Sequence, residues 1–331
     1  MEIGRARQLL TADQIFDLVR EDLHGVEEAI GVESAASFEP ATPISKCLEQ
    51  NGGERLRAAL LLLCARFAGG GSSRMAIQMG VVVEMLYAAA LVHDDVIDVE
   101  HARSGWPSAS VQWANGNCVL RGDWLYLRAF RVALQESVLD RVIGVAQMMV
   151  MGELIQLNRI GLIGITEADC MQLADHKTAC LFAACGELGA MTAGADAQEG
   201  ERLGEFAWNL GMAFQLIDDM LDFVSCESTP DKPAGGDLKE GRVTLPIVYA
   251  LEQASVSERD LVASVLRDRS YDAVPLANVL ALVDGYGGMQ RTRVRARQFT
   301  DRARQIVAEF PDRLCRRALF TLTDLVTERD C

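Results

Sequence analysis

Two clusters of aspartates have the residue type and the spacing that could do chemistry. Asp94 and Asp98 lie four residues apart with Asp95 between them, at the end of an apolar stretch. Asp218 and Asp222 repeat this spacing after a second apolar stretch. Residues four apart share one face of a helix, so each pair of carboxylates is expected to lie side by side. Like charges repel and are costly to remove from water, so both clusters require cations nearby.

The chemistry that fits these clusters is magnesium binding. Neither cluster offers the set of histidines or cysteines of a zinc site, and ligation by oxygen alone suits Mg²⁺. Proteins usually bind Mg²⁺ through one or two carboxylates together with substrate phosphates. A solvated acidic turn would explain one cluster, but two clusters with the same spacing and the same apolar setting favour a shared site. The sequence therefore predicts a multinuclear metal site that grips a phosphate or diphosphate.

Helices must position these aspartates, because helical periodicity dominates wherever the pattern is clear. Thr11 to Gln14 is typical of a capping box, and apolar residues then recur at helical steps from Ile15 to Ile30, which predicts one amphipathic first helix. Alternating strand patterns are nearly absent, and Val81 to Val83 lies in a longer apolar segment typical of a buried helix. Glycine and proline clusters, such as Gly285 to Gly288, separate the periodic segments. We predict a single all-α domain over residues 1–331.

Composition excludes several classes of protein. The 331 residues include 32 Lys and Arg against 47 Asp and Glu, a net charge of −15, which argues against a binder of nucleic acid or of anionic membranes. The longest apolar stretch, Gly80 to Val92, is interrupted by Glu84, and it is shorter than the roughly 20 residues that span a bilayer. Nine irregularly spaced cysteines, and no signal-peptide pattern near Met1, indicate a cytoplasmic protein with reduced thiols.

Arginines are concentrated between Arg291 and Arg304. A solvated helix face is the simpler interpretation of this pattern. An anion-binding patch or a partner surface is the alternative that the sequence leaves open.

The two clusters and the segments between them resemble the trans-type polyprenyl (isoprenyl) diphosphate synthases, which have the class I isoprenoid synthase fold. The resemblance runs from Gly52 to about Leu251, with the motifs in the family's order. The matching segments are Gly52–Arg57, His93–Asp98, Arg103–Ser108, Gly122–Leu125, His176–Ala179, Gly211–Asp219 and Gly236–Pro246. It implies an antiparallel bundle of helices around a central cavity, in which the two aspartate clusters face each other.

The resemblance also implies what the aspartates do. In that family they bind Mg²⁺, as three ions once diphosphate is bound, and the metal helps the diphosphate of an allylic prenyl substrate to leave. Asp94, Asp98 and Asp218 match the principal ligands. Asp95 and Asp222 match further ligands or partners of basic residues.

Basic and polar positions between and after the clusters match the family's grip on the allylic diphosphate. The matching basic residues are Arg103, Lys177, Lys232 and Arg242, the last at a position where the family generally has lysine. Thr178 and Gln215 match polar positions that line the cavity near the cation. The resemblance thus implies a catalytic set of Asp94, Asp98, Asp218, Lys177, Thr178 and Gln215.

The site of the family's second substrate, isopentenyl diphosphate, departs from the pattern. Glu54 replaces the lysine of the Gly-Gly-Lys-Arg-x-Arg motif, although Arg55 and Arg57 are retained as candidate ligands of that substrate. The usual histidine seven residues before the first aspartate is Tyr87, and Ser104 replaces the second arginine of an Arg-Arg-Gly segment. Replacing lysine by glutamate turns a phosphate attractor into a repeller.

Three hypotheses about function follow from this mixture. The first is a polyprenyl diphosphate synthase that still elongates an allylic diphosphate with isopentenyl diphosphate. The second is a terpene synthase, cyclase or allylic diphosphate hydrolase that has no diphosphate co-substrate. The third is a non-catalytic subunit of a heteromeric synthase, which the intact aspartate clusters disfavour. The family is commonly homodimeric, so we expect a homodimer.

Small residues before the first aspartate indicate a deep cavity. In the family, bulky aromatics four and five residues before that aspartate limit chain length, whereas this sequence has Ala90 and Ala89. We therefore expect chains of fifteen or more carbons. Met85, Leu86 and Phe182 are candidate plugs, although core packing is the simpler role for each.

Overall fold

The structure, a computed structural model, describes residues 10–35, 55–97, 102–103, 106–107, 115–224, 234–311 and 314–327. Most of these residues are helical, which confirms the predicted all-α class. The helices are, in chain order, α1 Ala12–Asp17, α2 Arg20–Ala35, α3 Leu56–Phe67, α4 Arg74–Ile97, α5 Asn115–Gln135, α6 Leu139–Arg159, α7 Glu167–Ala174, a π-helical turn Asp175–Ala179, α8 Cys180–Thr192, α9 Ala197–Leu221, α10 Gly236–Lys239, α11 Leu245–Leu251, α12 Val256–Asp268, α13 Leu276–Gly285, α14 Gly288–Ala308 and α15 Leu314–Thr327. One antiparallel pair of two-residue strands, β1 Ala102–Arg103 and β2 Trp106–Pro107, lies between α4 and α5.

The chain enters the fold through the capping box that the sequence predicts. The Thr11 side chain accepts a hydrogen bond from the Gln14 amide, and the Gln14 side chain accepts one from the Thr11 amide. The periodic segment from Ile15 to Ile30 forms two helices instead of the single one predicted, because a turn at Leu18 separates α1 from α2. Its apolar face is nevertheless buried as expected.

The helix that carries the first aspartate cluster is a core helix. Val81 to Val83 are fully buried in α4, which confirms the helical interpretation of this segment. The stretch Arg74–Asp94 is long and apolar enough, by length and composition, to cross a membrane, but 67% of it is buried inside the protein. Burial of that extent is typical of a helix that packs against its neighbours on most sides.

Helix α8 approaches two neighbouring helices closely because glycines line both contacts. A Cβ atom at Gly186 would lie 2.2 Å from the Leu203 carbonyl oxygen of α9, and one at Gly189 would lie 2.5 Å from the Leu61 carbonyl oxygen of α3. Only glycine permits backbones to pass at this separation. The result is a contiguous core that takes buried side chains from α1 through α15.

The arginine-rich helix α14 is held against the fold by ion pairs. Its arginines bind carboxylates of other elements, in the pairs Arg291–Glu252, Arg295–Glu167, Arg302–Glu205 and Arg304–Asp324. Arg291 and Arg295 also stack over Tyr249 and Phe299 respectively. These contacts favour a structural face of the bundle over an anion-binding patch.

The close packing of α8 on α9 predicts opposite effects for two glycine-to-alanine substitutions. Gly186→Ala is expected to lower the free energy of unfolding by about 1–3 kcal/mol, because the added methyl must push the Leu203 backbone away. Gly144→Ala is the matched control, since Gly144 lies inside α6 with open space around its Cα, and it should raise that free energy by about 0.5–1 kcal/mol. Urea unfolding measures both, and equal stability of the two variants would contradict this packing.

Candidate active site

The two aspartate clusters meet at one cavity of about 380 Å³. Residues of α4, α6, α7, the π turn, α9 and segment 236–244 line it. Eight of the predicted site residues are among them: Arg57, Asp94, Lys177, Thr178, Gln215, Asp218, Asp222 and Arg242. The helical bundle therefore brings together groups that are far apart in the sequence, as the resemblance implied.

Several predicted positions fall outside the described residues. These are Glu54, Asp98, Ser104 and Lys232, together with the side chains of Asp95 and Arg103. Their proposed roles stay predictions.

Lys177 is the cation that faces the first cluster. Its Nζ lies 2.8 Å from Glu153 Oε1, 3.0 Å from Gln156 Oε1 and 3.5 Å from Asp94 Oδ2. Sequence reasoning missed Glu153 and Gln156. The signal was present, because both are polar residues at helical spacing on the otherwise apolar buried face of α6 that includes Met149.

The ionisation of Glu153 reflects this crowding. Burial raises the pKa of the Glu153 carboxyl to about 7; Lys177 opposes that rise, and the nearby Asp94 carboxylate adds to it. A carboxyl so placed exchanges protons near neutral pH. At this end of the cavity, the ammonium group of Lys177 lies close to two carboxyl groups, those of Glu153 and Asp94.

A π-helical turn presents Lys177 and Thr178 to the cavity. A Cβ at Gly152 of α6 would lie 3.0 Å from the Lys177 Cγ atom, and one at Gly211 of α9 would lie 2.8 Å from the Ala179 Cα atom. Both neighbouring helices thus press against the turn. Such π turns are rare, and they often mark functional sites because they re-aim side chains.

Asp175 and Trp208 fix the start of this turn. The Trp208 Nε1 atom donates a hydrogen bond of 2.6 Å to Asp175 Oδ1. Since Trp208 belongs to α9, this bond ties the π turn to the helix that carries the second aspartate cluster.

The second cluster contains a hydrogen-bonded chain. Thr178 Oγ1 donates to Gln215 Oε1 at 2.6 Å, and Gln215 Nε2 donates to Asp219 Oδ1 at 2.7 Å. Burial holds the pKa of Asp219 well above its ordinary value, and the carboxylate of Asp237 raises it further, against the opposing hydrogen bond from Gln215. The two carboxylates that the sequence emphasised, Asp218 and Asp222, also raise it.

Asp222 organises the segment that closes this side of the cavity. Its Oδ2 accepts the Asp237 amide at 3.1 Å, and its carbonyl accepts the Gly235 amide at 2.7 Å. Gly235 has a φ of +78°, which side-chain-bearing residues rarely adopt. Arg242 then forms ion pairs with Asp237, at 2.9 Å, and with Glu240.

The two retained arginines at the start of α3, Arg55 at its N-cap and Arg57 in its first turn, have different surroundings. Arg55 Nε donates to Glu27 at 3.0 Å and its Nη1 lies 3.5 Å from Glu84, whose other oxygen accepts the amide of the α3 residue Ala58. Arg55 is not among the residues lining the cavity, and its contacts with Glu27 and Glu84 hold the start of α3. Its predicted role in binding the second substrate stays a prediction. Arg57 does line the cavity, and its guanidinium carbon lies 3.3 Å from the centre of the Tyr87 ring.

The donor set of the cavity fits a hard cation. It offers carboxylates from α4, α6, α9 and segment 236–244, and carboxylate oxygen is the ligand that Mg²⁺ prefers. Burial first and the neighbouring carboxylates second raise the pKa of Asp219, and both effects favour binding of positive charge among these groups. Within the described ranges, no three carboxylate, imidazole or thiol groups already converge as a complete ligand cage. Substrate oxygens are expected to complete the coordination.

The depth of the cavity depends on fewer residues than the sequence indicated. Ala90 lines it, whereas Ala89 is buried in the core. The candidate plugs Met85, Leu86 and Phe182 are also core residues and do not line the cavity. The apolar side chains that do line it include Leu91, Met149 and Phe214.

Sequence comparisons relate this chain to one family of known proteins. Residues 41–283 match the family described as "Polyprenyl synthetase". An all-trans-nonaprenyl-diphosphate synthase (geranyl-diphosphate specific) from Rhodobacter capsulatus is 34% identical over 315 residues, 94% of this chain and 96% of that protein. Heptaprenyl diphosphate synthase component 2 from Geobacillus stearothermophilus is 32% identical over 323 residues, 96% of this chain and 98% of that protein.

The fold comparison leads to the same group of proteins. The crystal structure of a polyprenyl synthase from Caulobacter crescentus CB15, complexed with calcium and isoprenyl diphosphate, superposes with a TM-score of 0.89. It is 30% identical in sequence, and the match covers 97% of this chain and 98% of that one. The family match, the relatives' full-length similarity and the carboxylate-lined cavity agree. The chain belongs to the polyprenyl synthetase family of prenyltransferases.

Proposed function

We propose that this enzyme elongates an all-trans allylic prenyl diphosphate with isopentenyl diphosphate, using Mg²⁺. The observation that carries the proposal is the single cavity where Asp94 of α4, Asp218 of α9 and Lys177 of the π turn meet. Carboxylates and a cation arranged around an apolar wall suit a reaction in which a diphosphate leaves and a carbocation remains.

Each group in the cavity has a distinct task in this proposal. Asp94, Asp95 and Asp98 on one side, and Asp218 and Asp222 on the other, would hold three Mg²⁺ ions. Bound there, Mg²⁺ neutralises the charge that develops on the leaving diphosphate. The relative complexed with calcium and isoprenyl diphosphate supports the choice of a divalent cation.

The remaining residues act on the substrate directly. Lys177, Arg242, Arg103 and Lys232 would donate to the allylic diphosphate. Oxygens of Thr178 and Gln215 face the cavity and can stabilise the adjacent cation. The apolar wall that includes Leu91 and Phe214 excludes water, which would otherwise capture that cation.

Long products are the expected outcome. The small side chain of Ala90 at the cavity wall leaves room for a growing chain, and the similarity to a nonaprenyl-diphosphate synthase points the same way. We propose chains of fifteen carbons or more.

A second function rests on the departures at Glu54, Tyr87 and Ser104. An enzyme that had lost its isopentenyl diphosphate site would ionise the allylic substrate alone, as a terpene synthase, a cyclase or a hydrolase. Arg57, which still lines the cavity, favours elongation over this alternative.

We also propose that the enzyme is a homodimer in the cytoplasm. Leu120, Leu127 and Leu134 form a stripe along α5 at intervals of seven residues, and all three are more than 60% exposed. Val150, Leu154 and Leu157 are also exposed on α6, which follows α5 after a short turn. A second copy of the same helix pair is self-complementary to this surface. The alternative is that a different protein chain covers this surface, because one relative is named as component 2 of a synthase.

The metal-dependent reaction is tested with geranyl, farnesyl or geranylgeranyl diphosphate, with and without isopentenyl diphosphate. Longer diphosphates should form only when both substrates and Mg²⁺ are present. Asp94→Ala should slow pyrophosphate release by at least about 100-fold, because it removes charge compensation in the transition state. Asp284→Ala changes an exposed aspartate at the end of α13, and it should leave the rate unchanged. Pyrophosphate release that is indifferent to isopentenyl diphosphate, with cyclic or alcohol products, would establish the second function instead.

Chain length is tested at the cavity wall. Ala90→Phe is expected to shorten the longest product, because a phenyl ring fills space beside the chain, and Ala90→Leu should shorten it less. Product lengths are read by chromatography after dephosphorylation, and thermal unfolding checks that both variants are folded. Identical product lengths for the wild type and both variants would place the end of the cavity elsewhere.

Dimerisation is tested by light scattering after size-exclusion chromatography. The wild type should have twice the mass of one chain, and Leu127→Arg should shift it to the mass of one chain by placing charge in the apolar stripe. Val256→Arg is the matched control, since Val256 is 77% exposed on α12, away from this stripe. A wild type that is monomeric until another protein is added would favour a heteromeric enzyme.

A further inference from the structure

Arg57 differs from the other cations of the cavity in its partners. Lys177, Arg159 and Arg242 each lie within 3 Å of at least one carboxylate oxygen. Arg57 forms no ion pair and no hydrogen bond through its side chain within the described part of the chain, and its Nε atom is buried without an acceptor. A guanidinium that lines a cavity without a carboxylate partner is a position where a ligand anion is favoured.

Arg57 stacks on the ring of Tyr87, where the other cations of the cavity pair with a carboxylate. The guanidinium carbon lies 3.3 Å from the centre of the Tyr87 ring and 5.5 Å from the centre of the buried Phe182 ring. Stacking of this kind holds a guanidinium through its face without neutralising its charge. The in-plane N–H groups, which suit a phosphate, stay available for a ligand.

The same helix that supplies Tyr87 fixes the backbone beside Arg57. Glu84, one turn earlier on α4, accepts the Ala58 amide at 2.9 Å and pairs with Arg55. Two neighbouring positions on one face of α4 therefore hold the start of α3. Glu84 contacts Arg55, and Tyr87 contacts Arg57. The side chain of Arg57 is oriented in the folded protein before any ligand arrives.

The spacing along α4 separates two anion positions. Tyr87 and Asp94 both line the cavity and are seven residues apart. Seven residues at 1.5 Å each correspond to about 10 Å along the helix. A diphosphate held at Arg57, beside Tyr87, would thus be separate from one held through metal at Asp94.

We propose that Tyr87 is a positioning residue that orients the Arg57 guanidinium for the diphosphate of isopentenyl diphosphate. The inference rests on the proposed elongation for its choice of ligand. It assigns a role to a residue that departs from the family's histidine. It also explains how one guanidinium can serve where Glu54 and Ser104 have replaced basic residues.

The binding test uses calorimetry to measure the affinity of the protein for isopentenyl diphosphate. EDTA is present, so that metal-dependent binding at the aspartates is absent. Tyr87→Phe keeps the ring and should bind as the wild type does. Tyr87→Leu should bind about tenfold more weakly, because the cation–π contact that orients Arg57 is lost. Tyr286→Leu, at the far end of α13, is the matched control and should bind normally. Arg57→Gln should abolish binding.

The kinetic test separates positioning from a general loss of structure. Tyr87→Leu should raise the KM for isopentenyl diphosphate about tenfold while the KM for the allylic substrate and kcat stay at wild-type values. Tyr87→Phe should restore the wild-type KM. A Phe variant as weak as the Leu variant would assign the effect to the hydroxyl, and it would overturn the inference.

The outcomes distinguish this inference from the proposed function. Binding in EDTA that depends on the Tyr87 ring, together with no chain elongation in Mg²⁺, would remove the proposed function and leave the inference standing. Binding that is equal in wild type and Tyr87→Leu, or absent from the wild type in EDTA, would overturn the inference even if elongation is observed.

Discussion

Repulsion among carboxylates that share one cavity is the constraint on which the site depends. Two like charges about 4 Å apart repel by about 4 kcal/mol near a protein surface. The fold reduces this cost with ion pairs. Lys177 pairs with Glu153 and Asp94, and Arg242 pairs with Asp237 and Glu240. The acidic groups that line the cavity outnumber these cations, and the neighbouring carboxylates add to the rise that burial causes in the pKa of Asp219. The remaining negative charge is what divalent cations can satisfy, so the electrostatics of the folded chain favours metal binding.

Close helix packing is what delivers those cations to their partners. The π turn passes between Gly152 of α6 and Gly211 of α9, where a side chain on either glycine would strike it. Lys177 reaches the first cluster and Thr178 reaches the second from adjacent positions, because the turn lies between the two helices. The hydrogen bond from Trp208 to Asp175 holds the turn in place. Charge compensation in the cavity therefore depends on backbone contacts that carry no charge.

The sequence could predict features that depend on local patterns. The capping box at Thr11, the buried helix through Val81 and the facing aspartate clusters follow from spacing and from family resemblance. The π turn could not be predicted, since it results from packing between distant helices. Nor could the different surroundings of Arg55 and Arg57, which lie two residues apart, because only the folded structure places Glu84 beside Arg55. Local propensity does not specify such long-range contacts.

Acidity and anion binding are compatible in this molecule because the charges are separated within the cavity. A net charge of −15 disfavours polyanions that must contact a wide surface, but a diphosphate contacts only a few groups. In the proposed reaction, the carboxylates at one end of the cavity attract the metal that the allylic diphosphate requires. At the other end, the charge of Arg57 stays available to a ligand, because its stacking partners among the described residues are the uncharged rings of Tyr87 and Phe182. A free arginine loses rotamer freedom on binding, whereas a stacked one has already lost it on folding, so one well-oriented guanidinium can offset the loss of several flexible ones.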